Sequence, residues 1–503
     1  MRKYSRIITS LLLLFVMLTA TAQDAIIRRG CRVGTPRPEG MALRRGAPGG
    51  QPKQTGGDFY HGERHQLTVL VEFADRAFKG DEAATVTQWN KIFNAVNLTE
   101  YPFKGSVHDY FLAQSYDDFS VFFDLVYVTV KGNAEKYAST AADDENSQYL
   151  VQDIIDTLLK TRDDIDWSRY DWNGDGKVNQ LLIVFAGKGS SYGGFGGGTD
   201  AIWPHQWWMS EHLKDRKPGV YCEPIPVTAG GKQYLVDCYC AVMELYSDNT
   251  YKSFGTICHE YTHCFGFPDF YGPNSYGNTV SYVYEWDLMD AGNCSGSGFQ
   301  PTGYSAHERW LMGWLTPIEL TGQTVVTDMP ALADEGRAYL IRNDGHAAEY
   351  YIVENRQPTG WDASLPGSGL LVFHIDYDPT LWTSVTDWVN KYDAQHYMLF
   401  HANNKSYSIG NWAYPYGGND ELTNTSTPAA TLNNANSDGT LLMNKPLTQM
   451  AVTNGLASFR FMDDPSAVGQ PATAASAAPQ PIYRMGPITF LRYADGTVRK
   501  QIR

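Results

Sequence analysis

A chain of 503 residues that is 43% hydrophobic and 13% aromatic holds enough apolar side chains for about two to four packed domains, which excludes a disordered protein. Its 55 acidic and 40 basic residues leave a formal net charge of -15. Phosphate recognition needs clustered Lys and Arg, so nucleic acid is excluded as a partner, while an acidic surface suits an exported protein that binds divalent cations.

Arg2, Lys3 and Arg6 precede an apolar run from Ile7 to Leu18 and the small-residue site Ala20-Thr21-Ala22, the pattern of a signal peptide (residues 1–22) cut after Ala22. That run, about 12 residues, is short of the roughly 20 a spanning helix needs, and no later segment is long and apolar enough. The expectation is a monomer without a transmembrane segment, secreted or held at the cell surface. Residues 23–58 are rich in Arg, Gly and Pro and read as a short pro-segment or linker.

LTVLVEF, from Leu67, has the length and β-branched content of a buried strand. GSVHDYFLAQSYDDFSVFFDLVYVTV (105–130) predicts a short amphipathic helix and then an alternating strand. NSQYLVQDIIDTLLK (146–160) predicts an amphipathic helix, and QLLIVFAGKG (180–189) another buried strand. This alternation implies helices packed on a sheet. A Gly-rich stretch, Gly193 to Gly198, then leads to AIWPHQW, a candidate rim and edge strand for an extended peptide, where His205 reads as a structural histidine.

From about Thr324 the texture changes to EYYIVEN, GLLVFHIDYD and QMAVTNGLASFRFMD, short strands separated by turn signals. The expected organisation is a main domain over 59–320, an all-β, sandwich-like domain over 321–463, and a low-complexity linker with a short tail over 464–503. The fold class is α+β. Of seven cysteines, six lie mid-chain, where up to three disulfides and buried free thiols are equally open readings.

The chemistry concentrates in HEYTHCFGFPDFYG. An H-E-x-x-H on a helix places His259 and His263 one turn apart on one face, so both imidazoles reach one cation. Glu260 projects beside it, placed to take a proton from a water that the cation has acidified. Gly266 is placed to end the helix with positive φ, so that Asp269 swings back as third ligand, with Glu285 as the runner-up. Three protein ligands and one open position describe a catalytic rather than a structural zinc site. Met289, 26 residues beyond His263 in YEWDLMDAGN, marks a turn, and Tyr284 beside it reads as a buried tyrosine or a donor to the reacting oxygen.

GSVHDYFLAQSY, YDWNGDGKVNQLLIVFAGKG, DAIWPHQW, HEYTHCFGFPDFYG, EWDLMDAG, SAHERWLMGWL and EYYIVENRQPTGWDASLPGSGLLVFHID, in this order, resemble the immune inhibitor A family of secreted bacterial metallopeptidases. The resemblance runs from about Leu67 to Asp463. It implies a metzincin-like zincin catalytic domain with a methionine turn at Met289 under the metal, an accompanying β-rich domain, zinc held by His259 and His263, and Glu260 as base. Metzincins more often carry a third histidine where this chain has Asp269.

Two further features bear on cofactors and control. DWNGDGKVN aligns Asp171, Asn173, Asp175 and Asn179 with the 1, 3, 5 and 9 positions of a calcium loop, with Gly176 at the turn and Lys177 offering its carbonyl. Position 12, normally a bidentate Glu, is Leu182, so other parts of the chain would have to complete the shell; an Asx-rich turn is the alternative. Cys31, among arginines in the pro-segment, is a candidate latency thiol for the open zinc position. The reading is a secreted zinc endopeptidase made as a zymogen and acting on proteins or peptides. The alternatives are a non-catalytic glycan- or protein-binding surface protein on the same scaffold, and a glycosidase using paired carboxylates.

Overall fold

The computed structural model describes residues 58–138, 146–192, 201–211, 223–246, 250–251, 254–273, 279–382, 388–391, 394–463, 480–485, 488–492 and 498–502. The signal and pro-segment readings, Cys31 and the run Gly193 to Gly198 lie outside these residues.

The first strand, β1 (Gly62–Glu72), starts earlier than the apolar run suggests, because its first residues pair along the start of a neighbour while only the later ones are fully buried. Helix α1 (Glu82–Asn94) begins at Asp81, whose side chain accepts from the Ala84 N–H, and α2 (Val107–Gln114) at a capping box between Ser106 and Asp109. Strand β2 (Phe119–Thr129) alternates buried and half-buried residues as the sequence implies. Helix α3 (Ser147–Thr161) buries Leu150, Val151, Ile154, Ile155 and Leu158 along one stripe. Then come β3 (Leu181–Lys188), β4 (His205–Trp208), β5 (Ile225–Ala229), β6 (Lys232–Val236), β7 (Cys238–Leu245) and helix α4 (Phe254–His263).

The main sheet has the order β2-β1-β3-β7-β4. Four strands are parallel, and β4 runs antiparallel along the β7 edge. Helices cover both faces, as a parallel sheet demands. Leu70, Leu182, Val184, Cys240 and Val242 face α1, α2 and α4; Val69, Val71, Ile183, Phe185 and Ala241 face α3. A small sheet of Lys177–Val178, β6 and β5 sits beside the loop that leads into β3.

Helix α5 (Ala306–Leu311) closes this region with a second capping box, Ser305 to Glu308. Beyond it lie β8 (Thr324–Met329), β9 (Ala338–Arg342), β10 (Glu349–Arg356), β11 (Gly369–Asp376), β12 (Tyr397–Leu399), β13 (Leu447–Thr453) and β14 (Leu456–Phe461), with short helical turns between them. Ile318–Glu319 and β9 to β12 make a five-stranded sheet; β8, β14 and β13 make a three-stranded one. The period of two gives the larger sheet two buried faces. Tyr339, Ile341, Tyr351, Val353, Leu370 and Val372 face the three-stranded sheet, whereas Leu340, Tyr350, Ile352, Leu371, Phe373 and Ile375 join the same apolar cluster as α2 and α4. The core is continuous across the boundary expected at residue 320.

No helix among the described residues is long and apolar enough to cross a membrane.

Candidate metal centre

Every residue of α4 is buried, so its polar side chains must find partners inside the protein. His259 Nδ1 lies 2.9 Å from the Leu288 carbonyl oxygen, and His263 Nδ1 lies 2.6 Å from that of Phe267. A carbonyl only accepts, so each Nδ1 carries the proton and each Nε2 presents a lone pair.

The helix stops at His263, and Gly266, at φ 96°, reverses the chain. An L residue with a side chain meets strain there. The reversal brings Asp269 back, so that its Oδ1 lies 3.2 Å from His259 Nε2 and 3.2 Å from His263 Nε2. Neither approach counts as a hydrogen bond, and Oδ1 has no hydrogen-bond partner. Three acceptor atoms therefore face one another with no proton among them, in side chains 2–6% exposed. Such an arrangement is costly unless a cation sits between them. The spacing fits zinc, since ligand atoms about 2.0–2.1 Å from a tetrahedral ion stand roughly 3.3 Å apart.

Among the described residues this is the group of His, Cys, Asp and Glu side chains that converges in this way. Glu285 does not join it: its Oε2 is buried without a hydrogen-bond partner, and burial raises its carboxyl above the usual range. Glu260, 9% exposed against 5% and 4% for His259 and His263, is the most open of the three.

The turn at Met289 carries the support. Leu288 supplies the carbonyl for His259, the Met289 oxygen accepts the Phe270 N–H at 2.9 Å, and the Met289 N–H donates to Asp287 Oδ1 at 2.8 Å. Asp290 Oδ2 accepts the N–H groups of Tyr282, Val283 and Tyr284 at 2.8–2.9 Å. Burial pushes Asp287 up to about 6 and Asp290 up to about 7. Tyr284 is half-buried at φ 52° with its ring edge-on to Trp412, which is a structural placement. His205 is likewise built in, 2.6 Å from the Trp203 carbonyl and 3.1 Å from the Tyr239 hydroxyl.

The Asp171–Asn179 loop folds as the Asx pattern dictates. Asp171 Oδ2 accepts from Gly176 N (3.0 Å), Asp175 Oδ1 from Lys177 N (2.9 Å) and Asn179 Oδ1 from Trp172 N (2.6 Å), while Asn173 pairs with Asp175. Asp171 Oδ1 is buried and has no partner. Leu182 is fully buried inside β3 and offers no ligand. Of the six mid-chain cysteines, Cys238, Cys240, Cys258 and Cys264 are buried free thiols and Cys294 is disulfide-bonded, so at most one bridge joins two of the six.

Residues 61–314, just over half of the chain, match the family described as immune inhibitor A peptidase M6, catalytic domain. The chain belongs to that family. Among its relatives are Immune inhibitor A of Bacillus thuringiensis subsp. alesti, 26% identical over 278 residues, and the pre-pro-metalloprotease PrtV of Vibrio cholerae serotype O1, 28% identical over 223 residues. The alignments cover 48% and 40% of this chain but 38% and 23% of those two proteins, so the chain spans well under half the length of either. The stretch shared with the peptidase M6 family contains α4, Asp269 and the turn at Met289.

The supports were not legible in the motif. Leu288 and Phe267 act through backbone oxygens, which carry no side-chain signal, and nothing in the motif singles out Asp287 or Asp290.

Proposed function

We propose that this M6-family chain is an exported zinc endopeptidase, made as a zymogen, with zinc held by His259, His263 and Asp269. One observation carries the reading: two Nε2 lone pairs and the unpartnered Asp269 Oδ1 meet at 3.2 Å inside the protein. A bound zinc ion would acidify a water and polarise the scissile carbonyl. Glu260 would serve as the base that accepts a proton from water and passes it to the leaving amine. The carbonyls of Leu288 and Phe267 hold both imidazoles in the tautomer that leaves Nε2 free. Asp269 would add a negative charge to the set and so offset part of the charge of a bound ion.

The test is casein cleavage by the processed protein and its Glu260→Gln variant, with zinc content measured on both. Both should carry zinc, and the variant should lose about 10²–10⁴-fold in kcat. Equal cleavage by both, or cleavage by zinc-free protein, refutes the mechanism. A zinc-loaded parent that cleaves no protein while retaining glycan or protein binding would favour the non-catalytic alternative.

A second reading concerns calcium, and the buried, unpartnered Asp171 Oδ1 favours it. We infer that the Asp171, Asn173, Asp175, Lys177 and Asn179 loop holds Ca²⁺ with help from outside the loop, because Leu182 cannot supply the twelfth position. Calcium-specific recovery of thermal stability after both metals are stripped supports it. Full recovery with zinc alone sinks it.

A further inference from the structure

Two segments complete what α4 begins: the loop carrying Asp269 and the turn carrying Leu288 and Met289. Both are gripped from outside the stretch matched to the family. Tyr397, the first residue of β12, is fully buried. Its ring stacks on Phe270, the residue after Asp269, with centroids 3.9 Å apart and planes at 19°. Its hydroxyl lies 2.8 Å from Asp287 Oδ2 and 2.9 Å from Ser305 Oγ. A hydroxyl has one proton, and the carboxylate is the stronger acceptor. The other oxygen of Asp287 takes the Met289 N–H at 2.8 Å, and the Leu288 carbonyl next to it takes the His259 Nδ1 proton at 2.9 Å. Asn390, also fully buried, donates to the Phe270 carbonyl at 2.8 Å and to the Tyr397 carbonyl at 2.6 Å, and accepts from Tyr397 N at 2.9 Å. One tyrosine thus touches both segments, and Asn390 ties it to one of them.

We propose that Tyr397, supported by Asn390, is a positioning residue for the metal centre: its hydroxyl fixes the turn that orients His259, and its ring fixes the loop that delivers Asp269. The β-rich region is then part of the metal site and not an appended module. This inference rests on the zinc-peptidase reading. Removing the hydroxyl leaves Asp287 Oδ2 buried without a donor, and the turn that supports His259 is where that deficit falls. Outer partners of this kind set ligand orientation, and their loss reaches the metal through its affinity rather than through substrate contacts.

The experiment uses the full processed chain and compares Tyr397→Phe with Tyr350→Phe. Tyr350 is an equally buried tyrosine of β10 whose hydroxyl lies 3.4 Å from His307 Nδ1 and is not hydrogen-bonded to either segment. Zinc affinity is measured by chelator competition, geometry by the visible spectrum of cobalt-loaded protein, and kcat and KM on a peptide, with Tm as the measure of plain destabilisation. Tyr397→Phe is expected to weaken zinc by about 10- to 100-fold, shift the cobalt bands and lower kcat with KM nearly unchanged. Tyr350→Phe should lower Tm alone. Should Tyr397→Phe not accumulate as folded protein, Asp287→Asn weakens the same link from its other end and is read the same way. Unchanged zinc affinity and cobalt spectrum in the variant, or equal zinc loss in the Tyr350→Phe control, overturns the proposal. A parent that binds neither zinc nor cobalt overturns the peptidase reading and this inference together; a metal-loaded parent with an indifferent variant overturns this inference alone.

Discussion

Of the carboxylate oxygens buried without a hydrogen-bond partner among the described residues, two lie in the candidate cation sites: Asp269 Oδ1, on a side chain 2% exposed, and Asp171 Oδ1, on one 3% exposed. What surrounds them differs. Around Asp269 the neighbours are lone pairs, because backbone carbonyls have already claimed both Nδ1 protons. Around Asp171 the neighbouring side-chain oxygens are occupied by N–H donors of their own loop, and Lys232 Nζ stands 3.7 Å from Oδ2. The first site is a set of converging acceptors with no proton to share between them. The second is a folded turn with one vacancy in its hydrogen bonding, which needs help from elsewhere to become a cation shell. A motif in sequence reports which ligand types are near one another; whether their lone pairs are free is decided by the surrounding backbone.

The comparison breaks first at Asp269. If its oxygen is a ligand, Asp269→Asn should weaken zinc by more than about a hundredfold, beyond the range of outer-partner changes, when measured by competition with a chromogenic chelator. A variant that holds zinc as tightly as the parent would return the third position to Glu285. The loop should respond on a smaller scale and to a different ion. Asp171→Asn should abolish a calcium-dependent stabilisation of roughly 2–3 kcal/mol at saturating calcium and leave zinc content alone. Thermal melts with and without calcium check this, and an equal calcium response in parent and variant would leave the loop as a turn.

Acid separates the two sites only once the fold's own titration is removed from the measurement. His307 is fully buried among the rings of Trp382, Tyr397 and Tyr350, and burial presses its pKa from 6.5 down to about 3. A folded-state value below the unfolded one means that the unfolded chain binds more protons between pH 6.5 and 3. The associated stability is present above 6.5 and is lost as pH falls towards 3, by up to about 1.4 kcal/mol per pH unit. His307→Phe should flatten that acid limb in melts across the same window. A limb as steep in the variant as in the parent would assign the loss to other groups.

How much of this was legible follows the range of each interaction. His259, Glu260, His263, Gly266 and Asp269 lie within eleven residues, so local spacing exposes them. Helix α3 was equally plain, because its apolar stripe is strictly periodic. Strand β7 was not: CYCAVMEL is buried at every position, yet it has one β-branched residue, and its cysteines drew attention as disulfide candidates rather than as small apolar side chains. Helix α1 went unread as well; Trp89, Ile92 and Phe93 pack one face, but threonines and asparagines dilute the pattern. Tyr397 had no signal. It lies 128 residues from Asp269, in a three-residue strand. The boundary placed at residue 320 was a change of texture, which says nothing about whether two sheets share a core, and here they do.

The finest test of the contrast is Lys232. Its ammonium is exposed, with 57% of the side chain accessible, and sits 3.7 Å from Asp171 Oδ2. A cation taken up by the loop has to enter against that charge, and in high dielectric the repulsion is worth about 1 kcal/mol. Lys232→Gln should therefore tighten calcium by about fivefold at low ionic strength, and the gain should shrink as salt screens the charge. Calorimetric titration at two salt concentrations reads both effects. The same substitution should leave zinc affinity where it was, because the histidine site is built from atoms that Lys232 does not touch. A looser calcium site in the variant would mean that the lysine holds the loop in shape, and that its charge is part of the turn rather than an obstacle to the ion.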